Sequence, residues 1–164
     1  TASRCESLAL GQPPYVGLTG MQATRQALSE GRWHFQHGPI DIVLELHGDA
    51  SACHQALERT WLRFQTVLPE LVSELPLLRQ PVSQLNETSL KGVVAQRMWQ
   101  ASLGLSWASL DGFVTPMAAV AGSVAEELIA LLAQEGVEKA YVNNGGDITI
   151  HQFQLNMQTK HGIK

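Results

Sequence analysis

Apolar and polar residues alternate from Ile40 to His47: Ile40, Ile42, Leu44 and Leu46 stand against Asp41, Val43, Glu45 and His47. A period of two with one apolar face marks a half-buried strand. Just upstream, Trp33 and Phe35 alternate with polar neighbours and run into Gly38-Pro39, which predicts a strand entering a turn. The period then changes. Cys53, Leu57, Trp61, Phe64 and Leu68 recur at three- and four-residue spacing, one side of a helix that Asp49 or Ser51 caps. Pro69 is expected to start a new helical turn, with Leu71, Val72 and Leu75 continuing the apolar side, before an exit loop over residues 77–81. Leu90, Val93, Val94, Met98 and Ala101 predict a further amphipathic helix, ended by Gly104.

The chain is organised around residues 113–150, which read as a short strand, a buried helix, a second strand, a glycine turn and a third strand. Thr115-Pro116 opens the helix, Thr115 as a side-chain cap and Pro116 at a first-turn position where its missing N–H costs little. Met117, Val120, Val124, Leu128 and Leu131 or Leu132 form its apolar face. Ala118, Ala119, Ala121, Gly122 and Ala125 leave its other sides small. A helix-interior glycine costs roughly 1 kcal/mol against alanine, so close packing or a ligand is the expected reason for Gly122. Gly136 is expected to stop the helix. Ala140-Tyr141-Val142 and Ile148-Thr149-Ile150 then flank the turn Asn143-Asn144-Gly145-Gly146-Asp147.

The first twenty residues are rich in Gly, Pro and Ser without a sustained period. They read as a loosely attached arm, with a short helix over residues 21–29. Hydrophobic residues make up 45% of the 164-residue chain and charged ones 16%, which fits one globular domain and argues against disorder. A formal charge of −4 gives no reason to expect a nucleic-acid or anionic-membrane surface. No apolar run reaches the roughly 18 residues of a membrane span. Cys5 and Cys53 make no metal or redox motif, and free thiols in a cytoplasmic setting are the default.

Four segments carry a resemblance. They are HFQHGPID at residues 34–41, ELPLLR at 74–79, TPMAAVAG at 115–122 and YVNNGGDI at 141–148. In this order and spacing they resemble an uncharacterised bacterial and archaeal branch of the ApbE-like superfamily, whose known enzymes are FAD:protein FMN transferases. The resemblance covers roughly residues 31–151. It implies an α+β fold with helices packed on a mixed sheet, FAD and Mg2+ as ligands, and a flavin site near the glycine turn. Two departures stand out. Ala121 occupies a position where the transferases carry a lysine, while Gly122 matches and Glu126 replaces their acid. The tail after about residue 151 does not resemble the expected continuation, so the domain, residues 31–164 after an arm over 1–30, reads as truncated or divergent there. A chain that ended at Lys164 would draw part of its sheet from a second copy, so a homo-oligomer is also an expectation.

The turn is the leading chemical candidate. Paired glycines expose backbone N–H groups that can cradle a phosphate. Asn143 or Asn144 can donate to a ligand oxygen, and Asp147 can accept from a ribose hydroxyl or a metal-bound water. Asn-Gly between two apolar strands is equally a hairpin signal in its own right. Thr115 is second, as either a ligand contact at a helix start or an ordinary cap. The candidate binding set is therefore Thr115, Gly122, Asn143, Asn144, Gly145, Gly146 and Asp147. His34 and His37 are three apart, so on a strand they face opposite ways and make a poor metal pair; turn and surface histidines are expected, with a ligand-facing role the alternative. Glu126, Glu127, Arg59 and Arg63 read as solvated helix faces. No catalytic triad, metalloprotease, CxxC or P-loop pattern is present. The functional expectation is binding of a phosphate-bearing flavin- or nucleotide-like ligand, extending to FMN transfer. The alternative is a non-catalytic subunit that keeps the fold without the chemistry.

Overall fold

A computed structural model describes residues 21–86, 88–106 and 113–152. Among these residues, five strands form one sheet in sequential order: β1 (Thr24–Ala27), β2 (Arg32–His37), β3 (Ile40–Gly48), β4 (Val137–Asn144) and β5 (Asp147–Gln152). Every neighbouring pair is antiparallel, so the fold is α+β as expected but the sheet is not mixed. The reason lies in the connection between β3 and β4. Gly48 at the end of β3 pairs with Val137 at the start of β4, so all the intervening helices leave and re-enter at one end of the sheet. A connection of that kind makes a hairpin however long it is; a parallel pair would need a crossover to the other end.

The neck of this insertion is narrow. The Asp49 N–H donates to the Gly136 carbonyl at 2.8 Å. Gly48 and Gly136 both take positive φ, 142° and 87°. The role expected of Gly136, stopping the helix, is therefore corrected: the helix ends at Leu132, and the glycine serves the approach of the two chain ends.

Among the described residues, the insertion holds four α-helices: α1 (Ala50–Ser73), α2 (Leu75–Leu78), α3 (Val93–Ser106) and α4 (Val120–Leu132). Asp49 caps α1, its Oδ1 accepting from the Ala52 N–H at 2.9 Å. Pro69 does not start a new turn; α1 runs through it. Pro69 is exposed, so the Gln65 carbonyl that loses its helical donor lies toward the solvated side, while Val67, Leu68 and Leu71 stay buried around it. The helix predicted from Leu90 to Gly104 is displaced. Leu90 is buried ahead of α3, Val93 and Ala101 are exposed, and α3 continues past Gly104. Among the described residues, no strand forms at Phe113, where the sequence predicts one; the Val114 carbonyl accepts from the Val82 N–H at 2.8 Å.

Helices α1 and α4 cover one face of the sheet, and α3 packs on both of them. The core joins Phe35, Ile42, Leu44 and Val142 of the sheet to Phe64, Val67, Val124 and Leu128 of the helices. Phe35 meets Trp61 edge-on at 5.0 Å, a favoured aromatic geometry. Residues 24–27, expected as arm and helix, form the edge strand β1. All four are exposed, so no apolar pattern marks them in the sequence. Tertiary contacts hold them: Arg25 lies 5.3 Å from the Trp61 ring and pairs with Glu58.

An ion cluster ties the helices together. Glu127 of α4 receives Arg63 of α1 at 2.7 Å and Arg97 of α3 at 3.0 Å. Glu127 and Arg63 are thus not the solvated face their sequence suggests. Burial pushes the Glu127 carboxyl up, but hydrogen bonds from Arg63 and Arg97, with their charges, outweigh it and hold the carboxyl below its ordinary range. Among the described residues, no helix is long and apolar enough to cross a membrane.

Candidate functional site

The glycine turn is a two-residue hairpin loop. Gly145 and Gly146 have φ of 61° and 106°, and Asn144 pairs with Asp147 across the loop. Two successive positive φ values are what an I′ turn demands, and glycine meets them without a Cβ penalty. Asn143 lies on the open face of the sheet and its Oδ1 accepts from the Gly146 N–H at 3.0 Å. That bond occupies one of the two glycine N–H groups a phosphate nest would use. Asn143 therefore shapes the turn from behind.

Asn144 points the other way, onto the helix side, and is buried. Its Nδ2 donates to the Ala121 carbonyl at 3.1 Å, so the hairpin is clamped to the first turn of α4. Beside this clamp opens a cavity of about 380 Å³. Its walls come from Leu68, Leu71 and Val72 of α1, Ile40 of β3, and Met117 and Val120 where a 3-10 turn runs into α4. Leu75, Pro39 and Ala121 extend the apolar surface; Arg79, Asn144 and Gly145 supply the polar part. The size lies in the roughly 300–1,000 Å³ range of small-molecule sites, and a mostly apolar wall with a few polar groups is their usual chemistry.

All four segments that carried the resemblance reach this cavity: Pro39 and Ile40 from the first, Leu75 and Arg79 from the second, Met117, Val120 and Ala121 from the third, Asn144 and Gly145 from the fourth. They are separated by up to about a hundred residues in the chain, and the insertion topology brings them together. A sequence profile of the AbpE bacteria family matches residues 25–161. The chain belongs to that family. No curated protein and no solved structure matches it.

Of the other candidate residues in this AbpE bacteria chain, Gly122 and Asp147 sit together. A Cβ built on Gly122 would lie 3.8 Å from Asp147 Oδ2, an ordinary contact distance. Close packing thus does not force this glycine. Asp147 is exposed. Thr115 does not line the cavity and makes no side-chain cap; its carbonyl accepts from the Ala118 N–H in the 3-10 turn Pro116–Ala119, and the α-helix begins only at Val120. The cap reading is thus corrected.

His34 and His37 do face opposite ways. His34 bonds Asp41 at 3.0 Å on the open face of the sheet. His37 is buried, not a surface residue, and its Nε2 donates to the Met21 carbonyl at 2.8 Å. It follows Trp33 and Phe35 onto the core side, a placement their alternation already implied. Among the described residues no group of three or more His, Cys, Asp or Glu side chains is placed to hold a metal. Burial first, and then the charges of Asp49 and Glu138, push the Cys53 thiol up, which argues against a reactive thiolate.

Sequence reasoning passed over the apolar wall and Arg79. Leu68, Leu71 and Met117 fit the core period, and periodicity cannot tell a cavity wall from a core contact. The signal that could have found them is the set of four segments taken as one surface.

Proposed function

We propose that the cavity between α1, α4 and the β4–β5 turn binds a flavin- or nucleotide-like ligand carrying phosphate, with FMN transfer the activity the resemblance to the FAD:protein FMN transferases implies. The observation that carries this reading is the convergence of the four resembling segments on one cavity. The apolar walls suit a ring system. The polar end, with Gly145 and Arg79, suits the attached groups. Because Asn143 already holds the Gly146 N–H, a phosphate at the turn would have the Gly145 N–H rather than a full glycine cradle.

Mg2+ fits only in part. Asp147 is a single carboxylate, and Mg2+ keeps several waters while binding one or two carboxylates together with substrate phosphates. Asp147 would therefore hold Mg2+ jointly with a bound phosphate, which would screen that phosphate's charge from the carboxylate.

Titration of the purified protein with FAD, followed by flavin fluorescence with and without Mg2+, tests the reading. Saturable binding that weakens in Asp147→Asn only when Mg2+ is present is the expected result. A folded protein, verified by circular dichroism, that binds no FAD in either condition would overturn it. A second reading, a non-catalytic member that keeps the fold, is favoured by Ala121. Its methyl-sized side chain stands in the cavity wall where the transferases carry a lysine, so this position offers no cation to a ligand.

A further inference from the structure

Strand β5 forms one edge of the sheet, and among the described residues no strand pairs with its outer side. Its residues read DITIHQ, with β-branched side chains at the centre and no Lys, Arg or Pro. Natural proteins guard an open edge with charges, prolines or a very short strand, as β1 with its Arg25 does at the other end of this sheet. Asn144 and Asp147 close the two-residue turn as a hydrogen-bonded pair, so bonded positions alternate from there. Asp147, Thr149 and His151 therefore turn their backbone N–H and C=O groups to β4, and Ile148 and Ile150 turn theirs outward. The side chains divide in the same way. Asp147, Thr149 and His151 share the helix side with buried Asn144. Ile148 and Ile150, 62% and 59% exposed, lie on the open face beside Asn143 and Tyr141.

We infer that β5 pairs with β5 of a second copy of this chain, antiparallel and about a two-fold axis through Thr149. A two-fold interface must be self-complementary, and this register is. Ile148 falls opposite Ile150 of the second copy. Both present outward backbone groups, so each such pair exchanges both of its N–H···O bonds. The isoleucines of the two copies close over one another on the open face, which removes exposed apolar surface from water. Asp147 falls opposite His151 of the second copy, an acid against an imidazole that can donate to it. Directly opposed side chains stand about 4.5–5.5 Å apart at Cβ, close enough for both contacts. Moving the axis by one residue loses the match. Centred on Ile150, Ile148 meets Gln152 and Thr149 meets His151; centred on Ile148, Asp147 meets Thr149 and Ile150 meets Gly146 in the turn. The pairing also sets a residue of the second copy beside Asp147, whose other carboxylate oxygen stays open to a ligand or cation. The inference does not depend on the flavin reading.

Sedimentation velocity of the full chain, from micromolar to millimolar concentration, makes the test. A reversible monomer–dimer equilibrium is expected. Ile150→Pro removes an outward N–H that β4 does not use, so it should weaken the dimer about tenfold or more while the circular dichroism spectrum stays unchanged. Charge tests the register. Ile148→Lys and Ile150→Glu should each weaken the dimer, and the chain carrying both should recover it, because only the pairing centred on Thr149 sets position 148 of one copy against position 150 of the other. If Ile150→Pro does not fold, these exposed positions decide alone. A chain that stays monomeric throughout the range overturns the inference; amides of Ile148 and Ile150 that then resist hydrogen exchange would give the edge to another part of the same chain. A dimer indifferent to the substitutions pairs through another surface, and one that the double change fails to restore pairs in another register; either result overturns the inference. FAD binding by a monomer would remove only this inference, and a dimer that binds no FAD would remove only the flavin reading.

Discussion

A Cβ placed on Gly48 would lie 2.2 Å from the carbonyl oxygen of Gly136. Two positions almost ninety residues apart in the chain thus meet with no room for a single methyl group. The obstacle is backbone, which cannot step aside as a flexible side chain can, and Gly48 also holds a φ of 142° that L-residues rarely adopt. Gly48→Ala should therefore destabilise the fold by roughly 2–4 kcal/mol, within the range of strongly disruptive single changes. Gly31 has positive φ but open space around it, so Gly31→Ala should cost only about 1–2 kcal/mol, the left-handed penalty alone. Denaturant unfolding of the two variants checks the difference; equal losses would sink the crowding argument.

Glu127 joins three helices through Arg63 and Arg97, with its side chain 14% exposed. Replacing it with Gln removes the charge from two hydrogen bonds to partly buried guanidinium groups, a loss of about 1–3 kcal/mol at neutral pH. The pH dependence has a definite sign. Arg63 and Arg97 hold the folded-state carboxyl below its ordinary value despite burial. Its contribution is therefore complete above the ordinary glutamate range and is lost as the pH falls through the folded-state value. Unfolding midpoints of the unaltered chain should drop in that acid window, and Glu127→Gln should flatten this part of the profile.

Glu74 belongs to one of the resembling segments, but the structure gives it a structural task. Its two carboxylate oxygens accept from the Lys91 and Gly92 N–H groups at 2.6 and 2.8 Å, where the chain turns into α3. Glu74→Ala should lower stability by about 1–2 kcal/mol, as loss of a good cap does. Thermal unfolding measures it. A loss of ligand binding with stability unchanged would show that the residue works at the cavity instead.

Val72 stands half-buried on the α1 wall of the cavity. Val72→Phe adds volume into that space, so FAD affinity should fall at least tenfold while the circular dichroism spectrum stays unchanged. Undiminished affinity would place the ligand elsewhere.

Asn143→Ala separates turn formation from binding. It removes the bond to the Gly146 N–H and should cost about 0.5–1.5 kcal/mol of stability. If that bond only shapes the turn, ligand affinity should change little once binding is measured well below the unfolding temperature. A large loss of affinity with little loss of stability would return Asn143 to the binding set.

Much of this protein could be read from the order of its residues. Ile40, Ile42 and Leu44 announce their strand because a sheet repeats every two residues. Leu57, Phe64 and Leu68 announce their helix because the side they share is buried. The glycine pair at 145 and 146 announces its turn because few other residues take two positive φ angles in succession. These signals are local, and local sterics and burial suffice to write them. Other features exist only between distant parts of the chain. Thr24 to Ala27 became a strand because β2 offered an open edge, and Gly136 took its conformation because Gly48 lies against it. Glu127 met its two arginines, and four separated segments met at one cavity, only when the insertion returned to the end of the sheet where it began. Pairing direction, ion partners and cavities depend on which surfaces come together in space, and no periodicity along a chain records that.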